Sequence, residues 1–136
     1  EETPCVWVAR SAGFVCAASV ALRGVPTFTN DADAAPFMHA LPADLACFEA
    51  VMRALGVRET FCASDYVDVC RKLETPLSSK QLQLALALVH ALGADSTLSA
   101  ERCSDMGVLA PDESGLEMRA AADLVYDDAP WLRSSG

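Results

Sequence analysis

An α+β fold, with short β-hairpins at the N- and C-terminal ends around a three-helix core, is predicted by three features of this 136-residue sequence. The apolar period changes from strand-like to helix-like near Pro42 and back again near Met106. Turn-forming Gly, Pro, Asn and Asp collect at the boundaries between the periodic runs. The balance of 52% hydrophobic to 21% charged residues, with seven Gly and seven Pro, is that of a globular chain and not of a disordered one. Residues 1–136 read as one module excised from a larger chain, with β structure over 5–22, helices over 42–93 and β structure again over 106–126. A chain of this length buries roughly two-thirds of its unfolded surface and needs no staples.

Cys5-Val6-Trp7-Val8-Ala9 is β-prone, and Phe14-Val15-Cys16 returns after the turn-like Arg10-Ser11-Ala12-Gly13. Val20 to Leu22 reads as a further extended piece, and Asn30 to Pro36 as a loop. From Pro42, Leu45, Phe48, Met52 and Leu55 recur by three and four, which places them on one inward face of a helix that Gly56 ends. A second helix begins at Ser64, with Asp65 and Asp68 at its positive end, Arg71-Lys72 at its negative end, and Tyr66, Val69, Cys70 and Leu73 as its inward stripe. A third has Ser78 and Gln81 as a capping box and Gly93 as its stop. Apolar residues cover nearly its whole circumference, so it is expected at the centre. The stretch Asp95 to Asp105 reads as a polar bridge, followed by strands over Met106 to Ala110 and Leu116 to Arg119 around the turn Pro111-Asp112-Glu113-Ser114-Gly115. Asp123 to Asp128 then leads into Ala129-Pro130, where proline rules out a regular strand or helix interior.

A net charge of −9 repels the phosphate backbone, and the ten bases are scattered, which argues against nucleic acid and against an anionic membrane surface as partners. Leu82 to Leu92 is about half the length that crosses a bilayer, so it is a core helix and no membrane association is expected. The opening Glu1-Glu2-Thr3-Pro4, with neither an initiating Met nor a basic targeting region, suggests a cut from a longer intracellular chain. Six cysteines without CxxC spacing point to reduced thiols ahead of disulfides or zinc, with Cys47 and Cys70 buried in helices as small hydrophobes.

No catalytic, cofactor-binding or metal-ligating set stands out. His39 and His90 lie among apolar neighbours, Phe37-Met38 and Leu88-Val89, as core or helix-surface residues do. Neither GxGxxG nor GxxxxGK[ST] is present, so no nucleotide site can be assigned. Asp123, Asp127 and Asp128 offer oxygen ligands for a hard cation, and a small metal-dependent hydrolase built on them is the enzymatic alternative. The same carboxylates before Ala129-Pro130 fit turn chemistry better. Trp7 and Trp131 are expected in the core ahead of a partner surface. Of the closing segment, Trp131 and not the carboxylates is expected to anchor the end of the module. A helical protein-interaction domain over 42–93 is a further alternative.

Several blocks together resemble the sacsin-like family of very large chaperones. They are Cys5-Val6-Trp7-Val8 with Phe14-Val15, Leu41-Pro42-Ala43-Asp44-Leu45 with Phe48, and Leu55-Gly56-Val57-Arg58-Glu59-Thr60-Phe61 with Asp65-Tyr66. The closing Leu124-Val125-Tyr126-Asp127-Asp128-Ala129-Pro130-Trp131-Leu132 is the most specific of them. Ala9-Arg10-Ser11-Ala12-Gly13 departs from the family pattern, which tends to a glycine and acidic residues before the Phe. The resemblance implies a non-enzymatic, cytoplasmic module that lies after a GHKL-type ATPase region and carries no cofactor. It also implies adjacent domains of the parent chain as partners and, through the parent, client proteins or Hsp70-class chaperones. On the same ground Trp7, Tyr126, Asp127, Asp128, Pro130 and Trp131 are the motif residues to test as an interface.

Overall fold

The computed structural model of the chain describes residues 3–23 and 34–124. Its mixture of helices and small sheets is the α+β architecture expected, with antiparallel hairpins toward both ends. Strands β1 (Pro4–Val8) and β2 (Gly13–Cys16) form the first hairpin, in which Val6 pairs with Val15, Trp7 with Phe14 and Val8 with Gly13. Val6 and Val8 are buried and Trp7 is exposed, so the strand's period of two sends alternate side chains to the core and to solvent. A single 3-10 turn over Ala9–Ser11 connects the strands, and Ala12, not Gly13, takes the left-handed conformation (φ 49°).

Strand β3 (Val20–Ala21) lies between two apolar clusters. On one edge it pairs in parallel with β4 (His39–Ala40). On the other, the Arg58 N–H donates to the Val20 carbonyl at 3.0 Å and the Leu22 N–H to the Arg58 carbonyl at 2.8 Å. Successive residues of a strand point to opposite faces, and here the faces belong to different cores. Val20 joins an apolar cluster with Val6, Val8, Ala17, Met52 and Val57, whereas Ala21 joins the larger helical cluster. Both are fully buried.

The first helix departs from the regular one expected from Pro42. Ala43–Phe48 is 3-10, and only α1 (Glu49–Ala54) is α-helical, ending at Gly56 with φ +95°. The tighter 3-10 pitch changes the angular step between Leu45 and the side chains of α1, and along α1 the inward position falls to Met52. Met52 is buried and Leu45 packs beside it, whereas Phe48 and Leu55 point to solvent.

The second helix, α2 (Ala63–Lys72), and the Leu73 that follows it bury Tyr66, Val69, Cys70 and Leu73 as expected, together with Val67. Its N-cap is Cys62 and not Ser64: the Asp65 carboxylate accepts the Cys62 N–H at 2.8 Å, and Arg58 pairs with the other Asp65 oxygen at 3.0 Å. On α3 (Ser79–Ala94) the capping box is reciprocal, with the Gln81 N–H donating to Ser78 Oγ at 3.3 Å and the Ser78 N–H to Gln81 Oε1 at 3.0 Å. The helix continues through Gly93 to Ala94. Leu84, Ala85, Leu88 and Leu92 form its buried stripe, but Leu86 is exposed, so α3 is covered on one broad side and not all round.

The predicted polar bridge contains a helix. Ser99 accepts the Arg102 N–H at 3.2 Å to start α4 (Ala100–Met106), and left-handed Gly107 (φ 63°) closes it. The Arg71 guanidinium donates to the Met106 carbonyl, one of the acceptors left open at a helix C-terminus. Because Met106 ends a helix, the second hairpin is displaced toward the C-terminus: β5 (Leu109–Pro111) pairs antiparallel with β6 (Met118–Ala120). In the intervening turn Asp112 Oδ1 accepts both the N–H (3.1 Å) and the hydroxyl (2.5 Å) of Ser114, and Gly115 supplies φ +67°. The Leu77 N–H donates to the Leu116 carbonyl at 2.8 Å, fastening this turn to the start of α3.

Candidate interaction surface

Trp7 was expected in the core, but the hairpin places it outside. Its indole stands across the strands from Phe14 with ring centroids 5.2 Å apart and planes at 69°, an edge-to-face contact. The two rings are 48% and 62% exposed. Such a pair is worth about 0.5–1.5 kcal/mol beyond area burial, enough to set the rings against each other while leaving about half of their surface in water. The hairpin exposes them because its opposite face, Val6, Val8 and Val15, already fills the inner cluster.

A second apolar stripe lies on α1. Phe48, Val51 and Leu55 follow the i, i+3, i+7 spacing of one helix face and are 54%, 53% and 48% exposed. Met52 occupies the inward flank, so the small cluster is covered by the hairpin's inner face and α1's inner face, with apolar residues also on both outward faces. Phe48 and Leu55 of this stripe belong to the three-and-four spacing expected to face the core, whereas Val51 does not. What the spacing alone did not contain was which side of α1 meets the hairpin, where Met52 packs.

The groups suited to chemistry are placed apart or tied up. His39 is buried on β4, with the Pro36 carbonyl oxygen 3.0 Å from Nε2 and Ser11 Oγ 3.4 Å from Nδ1. Those partners fit a neutral ring in which Nε2–H donates and Nδ1 accepts. Burial pushes the imidazole below its ordinary value and outweighs the opposing effect of the Pro36 carbonyl. His90 is on the exposed side of α3. Burial pushes the Cys70 thiol up to about 11, which keeps it protonated and poorly nucleophilic. Cys47, expected to be buried, is exposed on the 3-10 turn, where its thiol faces the Asp44 carbonyl. Asp112 is held below the usual carboxylate range chiefly by the Ser114 hydroxyl, the signature of a turn-former.

Among the described residues, no group of three or more His, Cys, Asp or Glu side chains converges as metal ligands do. Nor is any helix among them long and apolar enough to cross a membrane. An open depression of about 510 Å³ lies between the ends of α2 and α3, with Lys72, Glu74, Lys80, Phe37 and Leu84 among the residues that line it. Of the motif residues singled out in the sequence, Trp7 is described and exposed, whereas Tyr126, Asp127, Asp128, Pro130 and Trp131 lie outside the described residues. The three-aspartate metal reading therefore has only Asp123 within them, in the short 3-10 turn after β6.

No protein-family model matches the chain, and no solved structure matches it. Human sacsin does match, at 25% identity over 116 residues, covering 76% of this chain. The chain is distantly similar to sacsin. It spans only 2% of sacsin's length, so the aligned portion of sacsin is a small part of a very long protein. The similarity to sacsin extends over most of this chain, well beyond the hairpin and α1 taken singly.

Proposed function

We propose that the chain is a non-catalytic interaction module of a sacsin-like cochaperone, supporting folding or holding of clients beside ATPase regions of a longer protein. The exposed Trp7–Phe14 pair carries this reading. Aromatic rings of this size, left half in water on a hairpin, are the groups that anchor protein interfaces when a partner covers them. The α1 stripe of Phe48, Val51 and Leu55 supplies a second apolar contact, and the inward or hydrogen-bonded setting of His39 and Cys70 leaves little for catalysis. The distant similarity to sacsin supports a chaperone setting, with cytoplasmic location, neighbouring domains and Hsp70-class machinery as its expected surroundings.

Titration calorimetry of the purified chain with magnesium and ATP tests the non-catalytic half of this reading: no heat beyond dilution is expected, and clear micromolar binding would overturn it. For the interaction half, a photo-crosslinking amino acid at Phe14 in the longer parent protein should link to a neighbouring domain or to an added unfolded client. Crosslinks confined to solvent-quenched product would count against it.

A further inference from the structure

The sequence has two lysines, Lys72 and Lys80, and both line the depression between the ends of α2 and α3. They are set unlike most of the arginines. Arg23, Arg53, Arg58, Arg71 and Arg119 each pair with a carboxylate at 3.0–3.5 Å, whereas among the described residues neither lysine has an ion pair. Glu74 lines the depression too, so two positive charges stand against one negative in a chain whose net charge is −9. The neutral polar groups of the lining are already satisfied, since Ser78 and Gln81 bond each other's backbone N–H in the capping box. The rest is largely apolar. Pro36 is exposed, Phe37 is half-buried, and Phe37 and Leu84 belong to the edge and the body of the helical cluster.

We propose that this depression binds a short peptide segment in which one carboxylate neighbours a bulky apolar side chain. Lys72 and Lys80 hold the carboxylate, and Pro36 and Phe37 cover the apolar group. The volume of about 510 Å³ falls in the range of ligand sites, roughly 300–1,000 Å³, and an open shape admits a chain that passes across it. Charge decides the class of ligand. One positive charge in excess matches one carboxylate, whereas a polyanion such as a nucleic acid is repelled by the −9 of the whole chain before it reaches the lysines. Each ammonium is a point charge on a flexible apolar stem, so the lysines follow the carboxylate while their stems add to the apolar lining. The site shares no residue with the Trp7–Phe14 surface and selects by a different chemistry.

The test is fluorescence anisotropy of a labelled peptide with one glutamate between a leucine and a phenylalanine, titrated with the folded chain at low salt. Copies with glutamine for the glutamate, or with serine for both apolar residues, should bind more weakly, and added salt should weaken the original peptide. Lys72→Met/Lys80→Met, at two exposed positions and checked for folding by circular dichroism, should weaken binding by about three- to tenfold, the size expected of two exposed ion pairs. Trp7→Ser/Phe14→Ser should leave it unchanged, which separates this site from the aromatic surface. Several results would overturn the proposal: no binding at millimolar chain, equal binding of the glutamine copy, unchanged binding by the folded lysine variant, or loss of binding in the ring variant. A phosphoserine copy that binds while the glutamate peptide does not would also overturn it, in favour of a phosphate site.

Discussion

Val20→Ala probes the seam between the two apolar clusters. The side chain is 0% exposed and faces the hairpin and α1, while the adjacent Ala21, also 0% exposed, faces the helical cluster. Losing two methyl groups removes about 1.6 kcal/mol of transfer free energy at about 0.8 kcal/mol per carbon, and the cavity left behind raises the cost to about 2–3 kcal/mol. For a domain of this size that lowers the melting temperature by roughly 5–12 °C. The location of the loss matters as much as its size. Because β3 is bonded along both edges, to β4 and to Arg58, its distortion must reach both clusters. In a Trp131→Phe background Trp7 is the sole tryptophan and reports the hairpin, while far-UV circular dichroism reports mainly α2 and α3. Urea unfolding followed by both signals should show coincident midpoints that move down together. A fluorescence midpoint that falls while the circular dichroism midpoint stays would refute the shared seam.

Two further substitutions and a pH series follow from the same burial pattern. Leu88→Ala, in the fully buried stripe of α3, should cost about 2–5 kcal/mol in chemical denaturation, whereas Leu86→Ala on the exposed side should stay within about 0.5 kcal/mol; equal losses would contradict the orientation of α3. His39 is lowered from 6.5 in the fold, so the unfolded chain binds the proton more readily. Its contribution is therefore fully present above the unfolded value near 6.5 and is lost as pH falls toward the lower folded value. Unfolding free energy measured from pH 7 to pH 5 should decline, and His39→Gln should flatten that part of the curve; an unchanged slope in the variant would show that other groups cause it.

The legibility of the fold varied with how local its determinants are. The Ser78–Gln81 capping box and the stripe of α2 could be read directly, because both are set by residues three or four apart. The pairing of β3 with β4 could not, since two two-residue strands 19 positions apart leave no periodic trace and meet only through tertiary packing. Helix α4 was hidden by its polar composition, although Ser99 before it and Gly107 after it are recognisable caps. The exposed apolar surface was half visible. Trp7 stood out as an aromatic of note, but its side of the hairpin depends on which face Val6 and Val8 fill, and the outward setting of Phe48 and Leu55 depends on which side of α1 meets the hairpin, which apolar spacing does not encode.

Whether the exposed rings serve as an interaction surface is tested most directly by light scattering of a chemically unfolded client diluted into buffer with the chain. Trp7→Ser/Phe14→Ser should remove most of the suppression of aggregation that the unsubstituted chain provides. Loss of apolar surface must be separated from loss of fold, so the melting curve of the variant is compared under the same conditions. Suppression by the folded variant equal to that of the original chain, or none by either, would contradict the account.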